Sequence, residues 1–314
     1  MAHYLVTGGA GFIGSNLAHA LVGRGHDVRI LDNFSTGREI NLAGLEGRVE
    51  IVRGDIRDPD AVEGAMRGIE YVLHEAALPS VQRSVEEPIE TDRVNTLGTL
   101  NILQGARAAK VKRVVFAASS SAYGETPILP KVETMAPDPL SPYAVTKLTG
   151  EGYCKVFFLN YGLETVALRY FNVFGPRQDP KSQYAAVIPN FVTAALHGES
   201  PTIYGDGEQS RDFCFIDNCV EANLKACTAP GAAGKVFNIA CGERTTLLDV
   251  CRALSAITGR PVTPKHAPPR SGDIKHSLAD ITRAREILGY VGGVDFSEGL
   301  RRTIAWYREQ AVSK

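Results

Sequence analysis

The chain has 314 residues, enough for one large domain or two coupled ones around a sizeable core. Its 34 basic and 35 acidic residues leave a net charge of −1, which argues against a broad basic surface for nucleic acid. No apolar run approaches the ~20 residues of a membrane span, the start lacks a secretory pattern, and six cysteines are scattered without CxxC spacing, so a cytoplasmic protein with reduced thiols and no metal site is expected.

In chain order, YLVTG predicts a strand and FIGSNLAHALVGRG a helix closed by glycine. DVRILDN and VEIVRGD predict the second and third strands, Pro59 to Arg67 a helix, and YVLHEA the fourth strand. A longer helix is expected from Ile89 to Ala109, a fifth strand over RVVFAAS, and a long helix from Pro142 to Tyr161 with the proline in its first turn. TVALRY, from Thr165, is the next strand. Apolar strands alternating with helices specify a parallel sheet covered on both faces, with right-handed crossovers. After Arg169 the rhythm gives way to Pro-, Gly- and Asp-rich segments between short helices, and KVFNIA is read as a strand returning to the sheet. The last helices are expected near Leu247 to Thr258, Ile281 to Leu288 and Ser297 to Gln310.

TGGAGFIG follows the first strand and opens the first helix, giving Gly9-x-Gly11-x-x-Gly14 and, from Gly8, Gly-x-x-Gly-x-x-Gly. Such glycines allow the tight turn and let backbone amides approach a pyrophosphate at the positive end of a helix, whose first turn here holds Phe12 and Ile13. Asp32 ends the second strand 18 residues past Gly14, where a carboxylate can bind the adenosine ribose hydroxyls and repel a 2′-phosphate. NAD is therefore favoured over NADP. Asn33 beside it, and Asp55 with Ile56 after the third strand, are assigned to the same cofactor. Ala76 and Ala77 leave it room after the fourth strand, His74 is read as structural, and Asn95 as a brace for the active-site helix. The expected fold class is α/β, a Rossmann-like doubly wound parallel sheet. Residues 1–171, with returning segments in 213–241, form the NAD-binding domain; residues 172–212 and 242–314 form a smaller α/β substrate-binding lobe.

Tyr143 and Lys147, in SPYAVTK, lie one turn apart on one helix face, downstream of the hydroxyls of Ser119, Ser120 and Ser121. A phenol of pKa ~10 is a poor base at neutral pH, and a neighbouring ammonium favours its phenolate. A tyrosine tuned in this way can exchange a proton with a substrate hydroxyl.

Taken in order, TGGAGFIGSN, LDNFSTG, GDIRD, HEAA, SSSAYGE, SPYAVTK, RYFNVFGPRQ, IYGDGEQSRDF and the RSGD segment resemble the extended short-chain dehydrogenase/reductase family, and within it the NAD-dependent UDP-hexose 4-epimerases, most of all those acting on UDP-N-acetylglucosamine. The resemblance implies inversion at C4 through a transient 4-keto sugar, with NAD recycled. It makes Tyr143 the catalytic tyrosine, Lys147 the lysine at the nicotinamide ribose, and the serine cluster the hydroxyl partner, with Ser119, Ser120 and Ser121 competing and Ser120 preferred. Tyr170 joins the cofactor residues. Asn172, Arg211 and Arg270 are expected at the diphosphate-sugar, the arginines as bidentate forks, with Asp273 and Tyr204 at the nucleoside and Ser80 and Val187 bordering the substrate. Ser277 matches a position that is small in epimerases accepting N-acetylated sugars, so UDP-GlcNAc and UDP-GalNAc are expected substrates. A homodimer through a four-helix bundle is also implied. The 4,6-dehydratases place an Asp-Glu pair where this chain has Ser120 and Ser121, which favours simple epimerisation. A UDP-glucose or UDP-glucuronate 4-epimerase, and a dehydratase, decarboxylase or net oxidoreductase, stand as alternatives.

Overall fold

The computed structural model describes residues 1–180, 186–269 and 275–312. Seven strands form its main sheet: β1 (His3–Thr7), β2 (Asp27–Asp32), β3 (Glu50–Arg53), β4 (Tyr71–His74), β5 (Arg113–Ser119), β6 (Glu164–Tyr170) and β7 (Lys235–Ile239). Their spatial order is β7-β6-β5-β4-β1-β2-β3, and every neighbouring pair is parallel. KVFNI thus returns to the sheet beside β6, as its sequence suggested.

Alternation along the strands builds two cores. Tyr4 and Val6 of β1, Leu73 of β4 and Val115 of β5 face one; Leu5, Val72, Val114 and Phe116 face the other. The first core is closed by α1 (Phe12–Gly23) and contains Leu17 and Leu21. The second is closed by α2 (Pro59–Met66), α3 (Gly98–Ala108) and α4 (Pro142–Tyr161), which supply Val62, Ile102, Leu103 and Phe157. Asp58 caps α2 through its side chain and Pro59 occupies the first turn. Ser141 does the same for α4, accepting from the Ala144 amide at 3.1 Å, and Gly162 in the left-handed region (φ +71°) ends that helix.

The helix expected from Ile89 to Ala109 is present but uneven. Pro88–Asp92 leads into a π-helical turn, Arg93–Leu97, before α3 begins. The wide turn carries Asn95, whose side chain donates to Leu78 O and Thr146 Oγ1 and accepts from the Leu78 amide. One amide thereby ties the loop after β4 to α4.

The second half holds α5 (Val187–His197), α6 (Ile216–Thr228), α7 (Leu247–Thr258) and α8 (Phe296–Val312). The sequence reading named neither α5 nor α6; α6 packs on the sheet face beside α1, where its polar Asn218 and Asn223 are buried, which masks a helix-period apolar stripe. The helix expected over Ile281–Leu288 is largely a π-helical turn, Ala284–Leu288. Phe174, Phe213, Phe215 and Phe296 stack at 5.4 to 6.1 Å between ring centroids and join the later helices to the first core. Residues after 171 therefore share one core with the sheet.

One ion pair is buried inside this frame. Arg169 of β6 donates Nε and Nη2 to the Glu151 carboxylate of α4 at 2.8 and 2.7 Å, and the two side chains are only 5% and 6% exposed. The guanidinium also covers the Tyr123 ring at 4.6 Å, and Tyr123 donates to Asn238 Oδ1 of β7. Removing one partner strands a charge in the interior. Glu151→Ala should cost about 3–5 kcal/mol, measured by chemical denaturation, whereas an exposed pair such as Arg53–Glu39 should cost less than about 1 kcal/mol.

Candidate active site

The polar groups singled out in the first half lie along the carboxyl ends of the strands, from Asp32 and Asp55 after β2 and β3 to Ser119 and Tyr170 at the ends of β5 and β6, around the point between β1 and β4 where the strand order reverses. Gly8 sits in the left-handed region (φ +66°), and a Cβ there would lie 2.8 Å from the Ala76 backbone. A Cβ on Gly14 would lie 2.2 Å from Gly8 O. The loop is thus closed against both the chain after β4 and the start of α1. Gly11 caps α1 without any side-chain hydrogen bond, so no side chain competes for the first-turn amides, those of Phe12 and Ile13 among them, at the positive end of the helix. This cradle fits a dinucleotide pyrophosphate.

Asp32 is buried at the end of β2, where it accepts from the Ala10 and Phe34 amides, both at 2.8 Å. Each oxygen keeps a lone pair for a ribose hydroxyl, and the aspartate locks the glycine loop to the following turn. Asp55 accepts from Asn33 Nδ2 and, twice over, from the Arg57 guanidinium. The Arg57 hydrogen bonds hold its carboxyl down at about 2. Ile56 packs against Gly98 in the second core, and Ala76 and Ala77 are half-buried beside the loop. His74 is structural: it bridges Thr7 and Thr99, and burial pushes its pKa down to about 3.

Tyr143 and Lys147 occupy the first two turns of α4. Lys147 is buried, donates to Ala117 O of β5 at 2.6 Å, and lies 6.0 Å from the Tyr143 ring centroid. Burial lowers the lysine pKa and raises that of the tyrosine. Desolvation is the largest influence on the phenol, the Glu75 charge adds to it, and the group that favours the ionised form is the hydroxyl of Ser119, so the ammonium does not set this group as expected. Among the three competing serines, the hydrogen bond to Tyr143 is that of Ser119. Ser119 is the last residue of β5, on the same side as Ala117, and meets Tyr143. Ser120 opens the short turn Ser120–Tyr123, while Ser121 donates its amide and hydroxyl to Ser119 Oγ at 3.2 and 2.9 Å.

Tyr170 ends β6 beside Ser119. Its hydroxyl donates to Glu75 Oε1 at 2.8 Å and accepts from Asn223 Nδ2 of α6 at 2.8 Å. Glu75 was not singled out from the sequence, although it is the only acidic residue in the run YVLHEAAL. Burial raises its pKa and outweighs the Tyr170 hydrogen bond and the Lys147 charge.

On the facing side, Asn172 adopts a left-handed backbone (φ +36°) and donates to Asp212 O at 3.2 Å and Ser277 Oγ at 3.3 Å. Asp212 is a second residue that sequence reasoning missed, despite its place beside Arg211 in SRDF. Fully buried, it accepts from the Cys241, Gly242 and Ala279 amides at 2.9 to 3.1 Å and so clips the Ser277 segment to the end of β7. Arg211 donates to the carbonyls of Ser210 and Lys275. Ser80 accepts from the Arg83 amide as the cap of the helix Val81–Glu86, Val187 opens α5, and Tyr204 ends the short strand Thr202–Tyr204. Arg270 and Asp273 lie outside the described residues.

The comparisons with known proteins agree with this geometry. A family model described as the NAD dependent epimerase/dehydratase family matches residues 4–240. A UDP-glucose 4-epimerase of Mycolicibacterium smegmatis is 39% identical, over 98% of this chain and 99% of its own length. A UDP-N-acetylglucosamine 4-epimerase from Methanobrevibacter ruminantium, solved with UDP-N-acetylmuramic acid, is 41% identical with a TM-score of 0.92, covering 98% of this chain and 99% of that one. A Thermus thermophilus UDP-glucose 4-epimerase solved with NAD is 38% identical with a TM-score of 0.88, at the same coverage. The chain belongs to the NAD-dependent epimerase/dehydratase family, a branch of the extended short-chain dehydrogenases/reductases.

Proposed function

We propose that this chain is an isomerase that inverts C4 of a UDP-hexose, taking UDP-GlcNAc and UDP-GalNAc as well as UDP-Glc and UDP-Gal. The observation that carries the reading is the Ser119–Tyr143 couple beside buried Lys147, with serines at 120 and 121 where elimination of water would need carboxyl groups. NAD, held by the Gly8–Gly14 loop, Asp32 and Lys147, supplies the means of taking and returning a hydride at the sugar carbon. Tyr143 removes the C4 hydroxyl proton and gives it back, and Ser119 relays it. Asn172, Arg211 and Ser277 hold the sugar diphosphate, joined in this reading by Ser80, Val187, Tyr204, Arg270 and Asp273. The protein works in the cytoplasm, which suits its six unpaired cysteines.

A neutral sugar is favoured over a glucuronate. The two cations that could have met a C6 carboxylate are already engaged, Arg83 with Glu87 and Arg177 with Asn16, at 2.8 Å in each case. Ser277, whose hydroxyl accepts from Asn172 at 3.3 Å, is a small side chain at the position where the reading puts the acetamido group.

Turnover of UDP-GlcNAc to UDP-GalNAc, followed by NMR without accumulation of NADH or a 4-keto product, tests the reaction. Tyr143→Phe should lower kcat by about 10²–10⁴ while the fold is retained; full activity in that variant would refute the assignment. Because the phenol pKa is raised by burial, kcat/KM should climb with pH above neutrality. Ser119→Ala removes the hydrogen bond that favours the phenolate, so its rise should move to higher pH, whereas Ser120→Ala should leave the profile in place.

Ser277→Tyr should lower kcat/KM for UDP-GlcNAc about 10–100-fold and spare UDP-Glc, an overpacking cost of about 1–3 kcal/mol. Equal loss on both sugars would remove Ser277 as the selector.

A homodimer is part of the reading. Ile89 (68% exposed) and Leu159 (66%) place apolar side chains on the helices at Pro88–Asp92 and on α4, which pack against each other and would pair with a second copy as a four-helix bundle. Sedimentation should show a dimer, converted to monomer by Ile89→Lys with Leu159→Lys.

A further inference from the structure

Glu75 is an acid that the reaction described above does not use. Among the described residues it makes no ion pair, and its one side-chain hydrogen bond comes from the neutral Tyr170 hydroxyl. The groups facing it are Tyr143 and Lys147 from α4, Tyr170 from β6 and Cys219 from α6. Its negative charge disfavours ionisation of Tyr143, so by itself it opposes the general base.

Position resolves the conflict. The backbone at Glu75 and Ala76 forms the floor under Gly8, with the Ala76 amide bonded to Thr7 Oγ1 and a Gly8 Cβ only 2.8 Å from Ala76 and 3.2 Å from the Glu75 carbonyl carbon. On the other side the Glu75 carboxyl reaches Tyr170, next to Ser119. A dinucleotide running from the glycine loop to Tyr143 and Lys147 must pass over this carboxyl with its nicotinamide end.

We propose that Glu75 is the counter-charge of that end, a positioning residue whose carboxylate favours the oxidised, cationic ring over the neutral reduced one. The proposal rests on the cofactor reading given above, and it goes beyond it in assigning the redox preference to one side chain. A buried carboxylate close to a single positive charge is worth more than the same pair in water, because little solvent screens it. With the ring cationic, the charge on Glu75 is balanced and its penalty on Tyr143 falls. With the ring reduced, Glu75 faces no cation except Lys147, whose ammonium is held by Ala117 O.

The test is the ratio of dissociation constants for NADH, read by fluorescence, and NAD⁺, read by competition, on the full chain near pH 6 and near pH 8. Wild-type protein should prefer NAD⁺, and the preference should shrink at the lower pH, since a raised carboxyl pKa means that Glu75 takes up its proton as pH falls through neutrality. Glu75→Gln should lower the preference about tenfold at the higher pH, ~1.4 kcal/mol or ~30 mV for a two-electron couple, and abolish its fall toward the lower pH. Glu75→Asp should restore part of it, which a packing role would not predict. An unchanged ratio in Glu75→Gln overturns the proposal. Should that variant fail to fold by circular dichroism, Tyr170→Phe decides: loss of the donor raises the Glu75 pKa further and should move the pH response upward, and an unmoved response overturns the idea. Wild-type protein that binds neither nucleotide overturns both this proposal and the cofactor reading, while binding with the expected ratio but no sugar turnover overturns the epimerase reading alone.

Discussion

Desolvation at the ends of the parallel strands is the constraint on which the rest of this structure depends. A sheet covered on both faces has no solvated face for polar side chains, so they gather where the strands stop. Near the ends of β4, β5 and β6 this brings a phenol, an ammonium and a carboxyl together, with the ammonium over the Phe116 ring. Each is pushed toward its neutral form, Tyr143 and Glu75 upward and Lys147 downward. Groups that would be inert or fully charged in water come closer to changing protonation state together, which is what reversible proton exchange with a sugar hydroxyl requires.

Such a pocket works only if its walls do not move, and buried polar ties hold them. Asn95 fastens the loop after β4 to α4, Asp212 fastens the Ser277 segment to the end of β7, and Glu151 with Arg169 fastens α4 to β6. Each joins separate elements of the fold through buried polar groups that find partners in one another. α4 is thus held from two directions, by the loop after β4 and by β6, before any ligand contact is counted.

The shared core sets the relation between the two halves of the chain. Phe174 and Phe213 come from segments after the first six strands, yet they pack with Phe215 and Phe296 in the same cluster as Val6 and Leu17. With one core, Asn172 and Ser277 are held relative to Tyr143 by packing as well as by backbone links.

Local chemistry was legible in the amino-acid order: glycines where the backbone must turn and approach an anion, Asp32 at a strand end, a proline in the first turn of α4, and short apolar, β-branched runs between helices that specified seven strands and two covered faces. Choices among neighbours were not. Ser119 and Ser120 are equal as letters, and only the pleat of β5 decides which one meets Tyr143. The influence of Lys147 on that phenol also looked simple in sequence, where one helical turn separates them, but in the fold desolvation is the largest influence on it. Glu75 and Asp212 were invisible for a related reason: their roles come from Tyr170, Asn223, Cys241 and Ala279, partners that only folding brings near. Sequence alone determined the fold class and the family, because those rest on short-range patterns; tertiary structure decided the electrostatics of the site, because a charge is valued by what surrounds it in space.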